Sequence, residues 1–218
     1  MTAIGVACAL ALIAAAPAGA TSPPPGLSKL QKYLQSTPKA TYQATYIVKN
    51  SSSGTQTMVV AQTPNKSYFK TGSGAVISTG KKTYYCSATS GTTSCYAEAG
   101  AGTGSSLTQL LSPAVIGAEV SAYANEYASH IPGVSVSSSS KTIAGLPSTC
   151  VTAKAHGQTG TWCVSNKGVL TSVTSTGTSI TLKSFSSSVP SSLFTVPAGS
   201  VHQIPSIPGG GSIPDIPT

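Results

Sequence analysis

The spacing of apolar and polar positions changes period twice along this chain. Residues 27–37, LSKLQKYLQST, place Leu27, Leu30 and Leu34 at helical spacing with Pro38 just after. They predict a short amphipathic helix. The period then drops to two. TYQATYIVKN, TQTMVVAQ, KSYFKT, GAVIS, KKTYYCS and TSCYAEA are short runs rich in Thr, Val and Tyr, divided by Ser-Ser-Ser-Gly, Thr-Pro-Asn, Gly-Ser-Gly and Thr-Gly. Short alternating runs with turn residues between them predict an antiparallel meander.

A glycine loop, GAGTGSS (100–106), ends this set. Residues 107–131 then bring Ile116, Val120, Tyr123 and Tyr127 to i, i+4, i+7 and i+11, which predicts a helix broken at Pro113 with one apolar stripe. Alternation resumes at VSVSSSSKTIAG and continues through STCVTAK, TWCVS, GVLTSVT and SITLKSF. From Pro197 onward the chain is rich in Pro and Gly and has few large apolar residues, so a disordered tail is expected over 197–218. The plan is α+β: a helix, a first strand set, a helical insertion and a second strand set. So many strands exceed a small flat sheet. They are expected to curl into an open half-barrel, with the inserted helices as a lid over its open face.

The N-terminus reads differently. Residues 1–20 hold an apolar run from Ile4 to Ala16 and end in Ala18-Gly19-Ala20. The run is too short to span a bilayer and the ending is a small-x-small cleavage pattern, so a secretory signal peptide is expected. No Lys or Arg precedes the run. Cys8 follows Gly5-Val6-Ala7, a loose match to a lipid-attachment site, and is expected to leave with the signal peptide. TSPPPG (21–26) is a linker, which leaves 27–196 as the folded domain.

Composition narrows the partners. Charged residues make up 7% of the 218 and the net charge is +8. All 12 basic residues are lysine, scattered singly apart from Lys81-Lys82. Nucleic-acid readers lean on arginine forks, so nucleic-acid binding is not expected. Diffuse positive charge fits a Ser/Thr-rich surface with a weak pull toward anionic membranes. A monomer is expected.

Four cysteines remain after Cys8, an even number suited to two disulfides in an oxidising compartment. Pairing Cys86 with Cys95 centres a turn on Ser90-Gly91, and pairing Cys150 with Cys163 centres one on His156-Gly157. Both are X-Gly pairs, as two-residue hairpin turns require. Counted outward, both cysteine pairs fall on non-hydrogen-bonded positions, where side chains come closest. A metal site at Cys150, His156 and Cys163 would lack a fourth nearby ligand. The same register puts Val151, Ala153, Trp162 and Val164 on one face. Tyr42, Ala44, Tyr46 and Val48 share a face, as do Met58 with Val60 and Ile180 with Leu182. These faces are either plain core or the lining of an apolar groove.

Catalytic candidates are few. Glu119 and Glu126 lie on one flank of the inserted helix, with Glu126 four residues before His130. That spacing could hold an acid–base cluster but more often marks a solvated helix edge. G-x-S-x-G, H-E-x-x-H and phosphate-loop motifs are missing. The expectation is a non-enzyme with no metal and no cofactor.

The order of elements resembles the lipoprotein-carrier superfamily, the LolA/LolB-like fold that includes LppX- and LprG-type actinobacterial lipid carriers. TYIVKNSSSGTQTMVVAQTPNKSYFK resembles that superfamily's opening strands, and KTIAGLPSTCVTA with WCVSNKGVLTSV resembles its second half. The resemblance covers about residues 27–196. It implies an exported, non-catalytic carrier of a lipid, or of the acyl chain of a lipidated partner. The groove would be lined by Tyr46, Met58, Val60, Trp162 and Val164. The lid would be Leu107, Leu110, Leu111, Ile116, Val120 and Tyr123. The chain departs from the pattern in having no arginine for the barrel interior and no convincing lipid-attachment cysteine. A soluble lipid binder and a cell-envelope interaction module with a filled core both remain open.

Overall fold

The structure is a computed structural model, and it describes residues 26–36, 40–98, 132–155, 157–197 and 200–203. The expected lid (107–131), including Glu119, Glu126 and His130, lies outside the described residues, as do His156, the signal peptide and residues 204–218.

The first element is helix α1 (Leu27–Ser36), entered through Gly26 at φ +84°. A side chain at Gly26 would collide with Ser138, whose Cβ would lie 2.5 Å away. Leu30 N–H closes the first turn onto the Gly26 carbonyl at 2.9 Å. The first strand set is β1 (Tyr42–Asn50), β2 (Gly54–Thr63), β3 (Lys66–Thr71), β4 (Gly74–Ser78), β5 (Thr83–Thr89) and β6 (Thr92–Glu98). The second is β7 (Ser135–Ile143), β8 (Leu146–Ala155), β9 (Gln158–Ser165), β10 (Leu170–Ser175) and β11 (Thr178–Ser186). A 3-10 turn at Ser191–Phe194 and strand β12 (Val201–Gln203) follow.

The 12 described strands form one curled, open sheet in the order β12-β6-β5-β4-β3-β2-β1-β11-β10-β9-β8-β7. The two meanders join through β1 and β11 at its centre, so β6 and β7, which flank residues 99–131, lie toward opposite ends. Two-residue turns set the register. Ser90-Gly91 (φ +51° and +82°) and Ala144-Gly145 (φ +48° and +78°) have positive φ at both central residues. That is the hairpin turn whose twist matches the strands it joins. Between β1 and β2 the loop is longer, and the Asn50 side-chain oxygen accepts from the Ser52 and Ser53 N–H groups at 2.8 and 3.2 Å.

Cys86 stands opposite Cys95, and Cys150 opposite Cys163, and both pairs are disulfide-bonded. Their Cα atoms are 4.0 and 3.9 Å apart, the short spacing of non-hydrogen-bonded positions.

Residues 200–203, inside the stretch expected to be disordered from Pro197 onward, pair with the sheet. The Ser200 carbonyl accepts from the Cys95 N–H at 2.6 Å, and β12 pairs with β6, in parallel where all the other strand pairs are antiparallel. The physical reason is the free edge of β6. Its unpaired backbone groups need partners that composition alone does not reveal. The preceding segment is anchored by Phe194, buried beside β3 and β4, with Lys66 Nζ 5.9 Å from its ring.

Candidate functional site

Cross-strand partners share a face, so the register shows which side chains line one surface. Ala44 is opposite Val60, Val60 opposite Phe69, Phe69 opposite Val76, and Val76 opposite Tyr85. This row crosses β1 to β5 without a charged residue. A second row joins Leu182, Tyr46 and Met58. With Tyr42, Leu146 and Val169 these residues form one apolar cluster, in which Val60 and Tyr85 are half-buried. The Tyr46 hydroxyl donates to the Leu170 carbonyl at 2.9 Å, so its polar end is satisfied inside the cluster. Burial pushes the Tyr46 phenol well above its usual range, helped by neighbouring Tyr42, and raises the Tyr42 phenol to about 12.

The same face continues across the sheet. Val48 is opposite Ile180, Ile180 opposite Val173, Val173 opposite Trp162, and Trp162 opposite Val151. Here the surroundings change. Trp162 and Val164 pack with Leu27 and Leu30 of α1, with Val151, Ala153 and Leu170. Of the five groove residues expected from sequence, the structure therefore brings Tyr46, Met58 and Val60 together. It places Trp162 and Val164 in a second cluster, under α1. Phe69 and Val76 belong to the first cluster and were missed. The two-residue turn Pro64-Asn65 carried the signal, since it sets Val60 opposite Phe69.

Thr83 lies at the margin of this face, two residues before Tyr85. It is fully buried, and its hydroxyl has no hydrogen-bond partner among the described residues. Such orphaned groups are uncommon in folded interiors. On the opposite face of β8–β10 the Thr171 hydroxyl has two acceptors for its one proton, Ser148 Oγ at 2.9 Å and the Cys163 carbonyl at 3.1 Å. Among the described residues no three His, Cys, Asp or Glu side chains gather where a metal ion could be held. Nor is any described helix long and apolar enough to cross a membrane.

No family model matches the chain, and no curated protein matches it. Similar solved structures exist at low identity. An uncharacterized conserved protein from Thermus thermophilus is 9% identical over 81% of this chain and 98% of its own, with a TM-score of 0.48. The MucA/MucB complex of Pseudomonas aeruginosa matches at 10% identity over 79% of this chain and 61% of the matched chain, also at 0.48. LprF from Mycobacterium bovis is 12% identical over 78% of this chain and 97% of its own, at 0.40. At these identities and TM-scores the matches do not assign the chain to a family.

Proposed function

We propose that this chain is an exported, non-catalytic binding or carrier protein of the LolA-like kind. Its ligand is lipophilic, a lipid or the acyl chain of a lipidated partner, and rests on the apolar face of β1–β5. The observation that carries this reading is the uncharged row from Ala44 to Tyr85, held in register across five strands. An acyl chain is long, flexible and without polar groups, and an extended apolar surface gains about 0.8 kcal/mol for each methylene it removes from water. The Thr83 hydroxyl at the margin, which has no hydrogen-bond partner among the described residues, suits a ligand that carries one oxygen acceptor.

The ligand side chains on this reading are Tyr46, Met58, Val60, Phe69 and Val76. On the same reading the lid would be Leu107, Leu110, Leu111, Ile116, Val120 and Tyr123, which lie outside the described residues. The signal-peptide pattern of residues 1–20 and the two disulfides support an extracytoplasmic location. The charge of +8 favours passing contact with anionic membrane surfaces.

One observation favours the alternative of an interaction module with a filled core. Leu27 and Leu30 of α1 already occupy the face beside Trp162 and Val164. The β1–β5 half is buried as well, with Tyr46, Met58, Phe69 and Val76 at 3, 5, 8 and 5% exposure, so a ligand there enters only if the chain covering them moves aside. The two readings separate in a titration with a fluorescent fatty-acyl probe. Saturable binding, weakened about tenfold by Val60→Glu while Trp162 emission stays unchanged, supports the carrier. No saturable binding to the natural chain supports the filled module.

A further inference from the structure

A polar cleft of about 340 Å³ opens where α1 crosses the end of the β7–β8 hairpin and meets the turn after β9. Lys29 and Tyr33 line it from α1, Ser140 and Lys141 from β7, Thr149 from β8, and Asn166 from the turn. Its volume is that of a small-ligand site, but its chemistry differs from the apolar face. Hydroxyls and an amide supply neutral hydrogen-bonding groups, and two ammonium groups supply charge. No carboxylate of the described residues lines the cleft. Among the described residues the sole Asp or Glu is Glu98, on β6 near the other end of the strand order. Lys29 is held over the Tyr33 ring, with Nζ 5.9 Å from the centroid. Thr149 and Ser140 stand opposite each other on adjacent strands, so one wall is set by sheet register.

Lys29 and Lys141 bring two positive charges to the lining of one cleft, and an anion bound there is attracted by both. An ammonium on a flexible stem is a point charge that accepts phosphate without a fixed fork geometry, and hydroxyl and amide donors complete the shell of a multi-oxygen anion. We propose that this cleft is an anion site for a phosphate or phosphodiester group. Free phosphate and a phospholipid headgroup present the same chemistry. The proposal is independent of the acyl-chain reading and would stand if the apolar face proved to be filled. Both ammonium groups are exposed, so binding weakens as salt rises and screens them.

The test follows amide chemical shifts of the oxidised full chain during titration with inorganic phosphate at low ionic strength. In parallel, the chain is floated with phosphatidylcholine vesicles with and without phosphatidylglycerol. A double variant, Lys29→Gln with Lys141→Gln, is compared with Lys49→Gln plus Lys183→Gln, which removes the same charge from exposed positions on β1 and β11. Unchanged Trp162 emission shows that each variant is folded. The site predicts saturable shifts at Ser140, Lys141 and Asn166, weakened about tenfold in the cleft variant and less than about twofold in the control. Shifts with phosphate alone assign free phosphate. Flotation that needs phosphatidylglycerol and is lost only in the cleft variant assigns a headgroup. Equal loss in both double variants, or no response to either probe, overturns the proposal.

Discussion

The indole of Trp162 lies directly over Gly160: a Cβ on that glycine would stand 2.9 Å from the indole Cζ2 and Cζ3 and closer still to Cη2. Gly160 belongs to the same strand, two residues earlier, on the same face. Its missing side chain is the space the ring occupies. Trp162 is the only tryptophan, so its emission reports this packing alone.

Gly160→Ala should therefore overpack the α1 cluster. The expected loss is about 1–3 kcal/mol in urea unfolding, with a red shift of Trp162 emission as the ring is pushed toward water. Unchanged stability and emission would mean that the ring is free to move.

Leu30 is 0% exposed and packs in the same cluster from the helix side. Leu30→Ala should cost about 2–5 kcal/mol through lost burial and the cavity left behind. Unfolding followed by Trp162 emission checks it. A loss below about 1 kcal/mol would show that α1 contributes little to holding that face.

Each disulfide closes a short loop, with sequence separations of 9 and 13. In the chain-entropy model each stabilises the fold by about 3 kcal/mol, with the Cys150–Cys163 link slightly the stronger. Replacing Cys150 and Cys163 together by serine, measured by denaturant midpoint, should show this loss. A neutral result would mean that register alone holds the hairpin.

The buried phenols give the fold an alkaline limit. Tyr42 ionises near 10 when unfolded but at about 12 when folded, because burial disfavours the phenolate. The Tyr46 phenol is also raised, by burial and then by neighbouring Tyr42. The folded pKa is raised, so stability is intact below pH 10 and falls between pH 10 and the folded values. The slope is about 1.4 kcal/mol per pH unit for each phenol. Tyr46→Phe should flatten part of this fall, while losing the hydrogen bond to the Leu170 carbonyl. Denaturant unfolding repeated across that window checks both.

Much of the sheet was legible because its turns are chemical signatures. Ser90-Gly91 sets Cys86 opposite Cys95, and counting back from Ala155 opposite Gln158 sets Cys150 opposite Cys163. Period-two alternation likewise put Val151 and Trp162, or Tyr46 and Ala44, on shared faces. What alternation does not encode is the element that covers each face. The leucines of α1 require a partner, but nothing local says that they choose Trp162 and Val164 over Tyr46 and Met58. That choice splits the expected groove into two clusters. β12 was illegible for a related reason. Its three residues become a strand through the edge of β6, a long-range partner, and not through their own propensity. The polar cleft had no sequence signature, since Lys29 and Lys141 are 112 positions apart and line one cleft only in the fold.

Native mass spectrometry of the oxidised chain, exported and purified without detergent, shows whether a lipid travels with it. A carrier gives a reproducible extra mass that organic solvent removes and that fragments as a lipid. A bare polypeptide mass, with both disulfides formed and with no adduct after incubation with lipid vesicles, would contradict the carrier reading.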